Sequence, residues 1–334
     1  MFDLEGKLLD DKHRSSHIGH AEKILKKIQK ALAKAEKERT FQNIIDAVLR
    51  NEKMSVAAWQ TIQWRLAQLE IAAGMEFKHL EASDQYDLFF SDDDLLPVKG
   101  FEDLLQKLAT GIDIRYNQKV KIVRQNASRV SISTMGEDFD GDFCLVTLPL
   151  GVLKSNGVRF DPVFSTAKRN AVEKLGVGNV NKLALRFEEQ FWEGDRDFIG
   201  HIGKRRSEFP MFMDLAKVAE KPYLVAQFGH EFSKTLRKQS ETEIMVHVHQ
   251  MLYKMYENVP MPNGMKLTSW ETDKFSQGAI SYLPMGVQSV ARDYLARPEK
   301  RFYYAGEATI REGAGTVLGA YNSGVRAAKW IIER

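Results

Sequence analysis

Near its C-terminus the chain runs Tyr303-Tyr304-Ala305-Gly306-Glu307-Ala308-Thr309 and then Gly313-Ala314-Gly315-Thr316-Val317-Leu318-Gly319-Ala320. No other stretch restricts the fold so strongly: it reads as a short aromatic strand, a turn carrying one acid, and a glycine-rich approach to a helix running to Arg334. Val317, Ala320, Tyr321, Gly324, Val325, Ala328, Ile331 and Ile332 recur at three- and four-residue steps, while Arg326, Lys329 and Arg334 load the C-terminal end. A backbone pocket at a positive helix terminus is the expectation. By spacing alone the glycines are a weak cofactor signal, since Gly313, Gly315 and Gly319 form GxGxxxG rather than GxGxxG.

Composition narrows the class. With 334 residues and 43% hydrophobic content the chain can bury one large core or two ordinary ones. Lys+Arg 48 against Asp+Glu 45 leaves only +3, and the basic residues are dispersed, so nucleic acid is not an expected partner. The single cysteine, Cys144, lies in the apolar run Phe143-Cys144-Leu145-Val146; this excludes an intrachain disulfide and a cysteine-rich metal site, and a buried structural thiol is expected. No metal site is read. No apolar run approaches the roughly 18 residues of a membrane helix, and Met1-Phe2-Asp3-Leu4-Glu5-Gly6 has neither the charge nor the apolar stretch of a signal peptide. An intracellular protein with no membrane partner is expected, and Ile331-Ile332-Glu333-Arg334 assigns no compartment.

Residues 17–74 are helical by pattern. Ala21, Ile24, Leu25, Ile28, Leu32 and Ala35 make one apolar stripe, opposite a lysine face that Glu22, Glu36 and Glu38 interrupt and that reads as solvated. Thr40 and Ser55 are N-cap candidates, the second for a helix turning Trp59, Ile62, Leu66 and Leu69 inward until Gly74 stops it. Beyond the acidic run Asp92-Asp93-Asp94, a helix is expected over Phe101 to Ala109, followed by strands at Ile112 and Ile114, Val120 and Ile122, and Val130 and Ile132. Cys144 to Leu148 reads as a strand covered on both faces. Gly176-Val177-Gly178 follows a helix and precedes a strand, the reverse of a phosphate turn, and is rejected as one. The next strand turns Leu183, Leu185 and Phe187 to one face and Lys182 to the other. Glu241 to Tyr256 is an amphipathic helix, and Lys266 to Trp270 is strand-like.

In combination these residues become specific. Ala305-Gly306-Glu307-Ala308-Thr309, with Gly315-Thr316-Val317-x-Gly319-Ala320-x-x-Ser323-Gly324-x-Arg326, strongly resembles the C-terminal flavin-binding signature of the flavin amine oxidases. That family includes polyamine oxidases, monoamine oxidases and lysine-specific histone demethylases. Phe2-Asp3-x-x-Gly6, Gly111 to Arg115 with Val120 to Arg124, Leu148 to Lys154, and Leu175 to Gly178 with Asn181-Lys182 and Phe191-Trp192 look like the same family in the same order, nearest to its polyamine oxidases. The implied fold is α/β (α+β): parts of an FAD-binding domain, 96–150 and 268–334, interleaved with a mixed-sheet substrate-binding region, 151–267, and preceded by a helical substrate-side region, 1–95. The family also begins with a βαβ unit whose GxGxxG turn holds the FAD pyrophosphate. These residues contain no such unit, and Met1 falls where a family member would already be entering its substrate-side helices. The sequence therefore reads as the later part of such an enzyme. Its own FAD affinity is expected to be lower by orders of magnitude, because each lost charge-assisted hydrogen bond is worth about 1.5–3 kcal/mol.

The resemblance implies roles residue by residue. Lys182 would orient a water against the flavin and is the catalytic candidate. Glu307, next to Gly306, would hydrogen-bond cofactor hydroxyls. Thr316 and Val317 would open the last helix beneath the flavin's pyrimidine end, and the Val120 backbone would meet the adenine. Trp270 and Tyr282 would flank the flavin as the aromatic wall of the substrate site, and Thr316, standing where relatives often carry an aromatic residue, would leave room for secondary amines. The implied chemistry is hydride transfer from an amine or polyamine α-carbon to FAD, with O₂ taking the electrons to H₂O₂. Readings from other classes stay open: a catalytically inactive remnant acting as a binding or interaction module, and a nicotinamide dehydrogenase with the Gly313 segment as its phosphate turn.

Overall fold

The N-terminal apolar stripe folds as a helical block whose caps fall where the sequence places them. In the computed structural model, which describes residues 1–2, 6–8, 11–83, 97–98 and 100–334, helices cover Asp11–Leu32, Phe41–Leu49 and Val56–Ala73. Thr40 Oγ accepts from Asn43 N at 3.1 Å while Asn43 Oδ1 accepts from Thr40 N at 3.2 Å, so two orphan donors are satisfied reciprocally. Ser55 Oγ accepts from Ala58 N, and Gly74 closes the third helix at φ 71°. Ile24, Ile28, Ile62, Leu66 and Phe77 form the core between these helices. Trp59, expected inside, is 44% exposed: Ala58, one turn before Ile62, takes the buried position, and Trp59 sits about 100° around the helix from it. The acidic run Asp92–Asp94 and Asp3 of the first matched stretch lie outside the described residues.

Alternation in the middle of the chain builds a five-stranded antiparallel sheet, ordered Gly264–Leu267, Val180–Arg186, Tyr223–Gly229, Met211–Asp214, Phe198–Gly200. Leu183, Leu185 and Phe187 point into its core beneath the helix Glu241–Met255, and Lys182 points away, as expected. Each such fully buried side chain contributes about 1.5–3 kcal/mol. Arg206 joins the helical block to this unit, donating to Glu70 Oε1 at 3.1 Å and to Gln63 Oε1 at 2.9 Å. Gly176–Gly178 is a strand paired with Ile280–Tyr282 and preceded by the helix Thr166–Lys174, so the rejected phosphate turn is indeed not a turn. Its glycines serve close packing: a Cβ at Gly176 would stand 2.3 Å from the Tyr282 ring, and one at Gly178 would stand 2.4 Å from the Gly74 carbonyl oxygen.

Three strand expectations change. Ile112 and Ile114 lie exposed outside any strand, since two alternating residues without a neighbour to pair with make no ladder. Strand pairing starts at Ile122–Gln125, in a sheet ordered Asp138–Gly141, Val130–Ser133, Ile122–Gln125, Arg159–Asp161. Cys144–Val146 pairs in parallel with Phe302–Tyr304, but its second face is covered only in part; Val146, Phe302 and Tyr304 enter a core, and on the other face Tyr303 is buried while Leu145 remains exposed. Cys144 is half-buried, and burial pushes its thiol up to about 11, which removes it as a nucleophile. The strand expected to reach Trp270 ends at Leu267, because the Asn181 side chain takes over as the acceptor for the segment that follows.

The terminal helix, Val317–Ile332, forms as expected but buries a different face. Gly319, Ser323 and Ala327 are buried, whereas Val317, Tyr321, Val325 and Ile332 are exposed. The inner side admits only small residues: a Cβ at Gly319 would stand 2.0 Å from the Gly313 carbonyl oxygen, and Ser323 Oγ accepts from Gly306 N at 2.8 Å. No helix among the described residues is long and apolar enough to cross a membrane.

One buried cation gives this fold a pH dependence. Lys168, 1% exposed, donates to the carbonyl oxygens of Leu295 and Arg297 and lies 3.5 Å from the centre of the Tyr304 ring. Burial pushes it down to about 7 from the ordinary 10.5, with Glu299 pulling back. In the window between those values the unfolded chain holds a proton that the folded chain releases, so stability rises with pH there and the cost of burying the ammonium is fully present below it. Lys168→Met is expected to flatten this rise in urea unfolding followed from pH 7 to 9.5. A variant with the wild-type slope would mean that Lys168 keeps its proton throughout.

Candidate functional site

The site is assembled around residues 268–282, which touch every other part of it. Asn181 stands at an inward position of the strand Val180–Arg186 and is 1% exposed. Its Oδ1 accepts from Thr268 Oγ at 3.1 Å and from Trp270 N at 3.2 Å; its Nδ2 donates to Ser233 Oγ at 3.1 Å and to Glu271 Oε2 at 3.2 Å. A buried amide with both ends engaged holds one geometry. That geometry fixes the Trp270 turn beside Lys182, whose N–H donates to Thr268 Oγ at 2.8 Å. The Lys182 side chain is exposed, and its ammonium makes no hydrogen bond among the described residues. Trp270 is exposed, and its carbonyl accepts from Gly278 N at 2.9 Å.

From Gly278 the chain enters Ile280–Tyr282 and reaches the second half of the site. Tyr282 lies across Gly176 with its ring partly packed on the helical block, and burial pushes its phenol upward, with Glu76 adding to the shift. Glu307 Oε1 accepts from Ser281 N at 3.2 Å; its Oε2 accepts from Ser281 Oγ at 2.7 Å and from Gly315 N at 2.8 Å. The acid therefore ties the strand carrying Tyr282 to the turn that opens the last helix. Behind it, Arg292, also 1% exposed, donates to Ser281 Oγ at 2.6 Å and to Ser281 O at 3.3 Å. The Ser281 hydroxyl, accepting from Arg292 and donating to Glu307, bridges the fully buried guanidinium to the carboxylate.

At the helix entrance, Gly313 and Gly315 adopt φ 69° and 78°, the left-handed region glycine tolerates best. Thr316 Oγ accepts from Gly319 N at 3.0 Å, and Thr316 N donates to the Gly313 carbonyl at 3.1 Å. The capping residue thus spends its own N–H; those of Val317 and Leu318 make no hydrogen bond among the described residues. Gly306 has φ 125°, and a Cβ built on it would meet nothing within 4 Å. Arg326 braces the turn by donating to the Thr309 carbonyl at 2.7 Å.

Lys182, Trp270, Tyr282, Gly306, Glu307, Thr316 and Val317 are linked through these contacts. Val120 belongs elsewhere: it precedes the strand Ile122–Gln125 and packs half-buried on a separate core. Sequence reading quoted Asn181 without giving it a role and passed over Ser281 and Arg292. The available signal was phase, since Asn181 shares the inward parity of Leu183 and Leu185, and Arg292 lies between Ala291 and Leu295 on a buried helix face.

Comparison with known proteins gives one answer. Residues 16–332 match the family model described as flavin containing amine oxidoreductase. The chain is 31% identical over 313 residues to polyamine oxidase 4 of Oryza sativa subsp. japonica, covering 92% of this chain and 64% of that protein. It is 30% identical over 286 residues to lysine-specific histone demethylase 2 of Homo sapiens, covering 81% of this chain and 35% of that one. The chain therefore spans less than two thirds of the length of these curated relatives. A solved putrescine oxidase bound to putrescine shares the fold at TM-score 0.76 and 16% identity, over 99% of this chain and 78% of that one.

Proposed function

The chain belongs to the flavin containing amine oxidoreductase family, and from that premise we propose that it supplies the substrate side and the ring-end floor of an FAD-dependent amine oxidase of polyamine oxidase type. The observation that carries this reading is the Arg292–Ser281–Glu307–Gly315 network, which fixes an acid and an open helix terminus against the Tyr282 strand.

The residues present fit the ring end of FAD. A carboxylate has about four acceptor positions; Glu307 uses one on Oε1 and two on Oε2, so one on Oε1 is left for a cofactor hydroxyl. Gly306 offers an open backbone shelf. The N–H groups of Val317 and Leu318, at the positive end of a 16-residue helix, suit an acceptor edge that gains negative charge. When bound, FAD supplies the acceptor for a hydride from the carbon beside the amine nitrogen, and O₂ then takes the electrons to H₂O₂. The protein's own part is placement. Lys182 holds a water at its ammonium, Trp270 and Tyr282 wall the amine, and Thr316, its hydroxyl turned back to the Gly313 carbonyl, leaves space for a secondary amine. Water hydrolyses the released imine to an aldehyde and a shorter amine.

The exposed apolar side of the terminal helix, with Leu318 67% and Tyr321 56% exposed, favours the second reading, an interaction module without turnover. One experiment separates them. The 334-residue chain is purified, its visible spectrum recorded, FAD titrated in, and H₂O₂ followed with spermidine or spermine. A flavin spectrum with amine-dependent H₂O₂ is the expected result, whereas a colourless protein that FAD does not reconstitute would leave the binding-module reading.

A further inference from the structure

A cavity of 790 Å³ shares no lining residue with the site above. It lies between segment 201–208, the helix His230–Leu236 and the helix Glu241–Met255, which turns His247, Gln250, Met251 and Lys254 toward it at three- and four-residue spacing. The volume falls within the usual range for small-molecule sites. We propose that this cavity binds a small organic anion with an aromatic body, its anionic group held by Lys204, Arg205 and Lys254.

Charge makes the first argument. Three cations line the cavity against one acid, Glu208, and that acid is already paired, its Oε1 lying 3.3 Å from His247 Nε2. Burial would raise Glu208, but the hydrogen bond and charge of His247 outweigh it and keep the carboxyl ionised. Arg205 is oriented by its bond to Thr235 Oγ at 3.2 Å, while Lys204 and Lys254 project from exposed positions at the cavity's edge.

The walls make the second. His249 and Tyr253 lie with ring centres 6.1 Å apart and planes 34° apart, His249 Nε2 bonded to the Val259 carbonyl at 2.9 Å and Tyr253 exposed, which offers a planar ligand an aromatic shelf open to solvent. Phe232 and Met251 complete an apolar wall. His201 makes the third. It is 6% exposed, and its Nδ1 lies 3.3 Å from the Phe209 carbonyl, an acceptor, so Nδ1 carries the proton. Burial disfavours its charged form, with hydrogen bonds to the Phe209 and Glu208 backbone and the Glu208 charge pulling the other way, so the ring is a fixed polar edge of the cavity lining. Phe209, which presents that carbonyl, holds φ 43°, a conformation rare for an aromatic residue; its ring packs on Phe232 at 5.0 Å. An aromatic body laid on these walls with a carboxylate or phosphate among Lys204, Arg205 and Lys254 satisfies these groups.

The test is calorimetric titration of the full chain with 4-hydroxybenzoate, 4-hydroxyphenyl phosphate and inorganic phosphate. At least one aromatic anion is expected to bind with Kd below about 1 mM, the stronger arm telling carboxylate from phosphate. The double variant Lys204→Glu, Arg205→Glu, both at exposed positions, should weaken that binding at least about ten-fold, and Tyr253→Ala should weaken it several-fold. Lys182→Met should leave it unchanged, which separates this cavity from the amine site. No binding of either aromatic anion up to about 10 mM, affinity unchanged in the double variant, or inorganic phosphate binding as tightly as the aromatic probes would each overturn the proposal.

Discussion

Lys182→Met is expected to lower amine-dependent H₂O₂ formation by the FAD-loaded protein about 10²-fold, while changing the unfolding free energy by less than about 0.5 kcal/mol. The two halves of the expectation come from different sides of one strand. Leu183 and Leu185 carry its packing, so the exposed Lys182 side chain adds little to stability. Its backbone is nevertheless held by Thr268, and Asn181 fixes Trp270 beside it, so an ammonium free of protein partners among the described residues is presented at a defined place. Rapid-mixing kinetics divide the reaction into its reductive and oxidative halves. The loss should fall mainly on the oxidative half, where a water ordered by the ammonium would act, and Lys182→Arg should restore part of it because a donor returns at altered geometry. Wild-type turnover in the methionine variant would remove Lys182 from the chemistry, and a large loss of stability would reassign it to the fold.

Arg292→Met is expected to destabilise the chain by about 3–5 kcal/mol, seen as a fall in Tm of about 4–7 °C for a chain of 334 residues. The guanidinium is fully buried and makes its hydrogen bonds to Ser281 and to the Ala308 carbonyl. Its removal strands the Glu307 carboxylate, which then faces the Ser281 strand and Gly315 with no compensating charge behind them. Ser281→Ala, which deletes the relay hydroxyl alone, should cost less, about 1–2 kcal/mol. A double-mutant cycle is decisive here. Arg292→Met combined with Glu307→Gln should destabilise by clearly less than the sum of the single changes, because the second substitution removes the charge the first left unpaired. Strict additivity would show that the two groups are not coupled through Ser281.

The helical block was legible because its signals are local. Thr40, Ser55 and Gly74 act within one turn of themselves, and Ile62, Leu66 and Leu69 declare a buried face by spacing alone. Lys182 was placed correctly on the outward face for the same reason, since strand parity needs no partner to be read. Periodicity failed where two faces compete. The terminal helix has a large apolar side and a small-residue side, and a pattern search reads the large one as core; the Gly313 carbonyl and the Gly306 amide make the small side the one that packs within the described residues. Trp59 misled in a similar way, being apolar but one helical step away from the buried stripe.

The sequence by itself determined the helical caps, the facing of Lys182, the rejection of Gly176-Val177-Gly178 as a phosphate turn, and, through its signature from Ala305 to Arg326, the family. Only the tertiary structure decided that Asn181, Ser281 and Arg292 hold the site together, since their partners lie far along the chain: Asn181 meets Trp270, Ser281 meets Glu307, and Arg292 is joined to Glu307 by the Ser281 hydroxyl between them. A capping or facing preference is a property of a few neighbouring residues and is written where it acts. A buried hydrogen bond between distant segments exists only once the chain has folded, because it is folding that removes the water which would otherwise satisfy both groups.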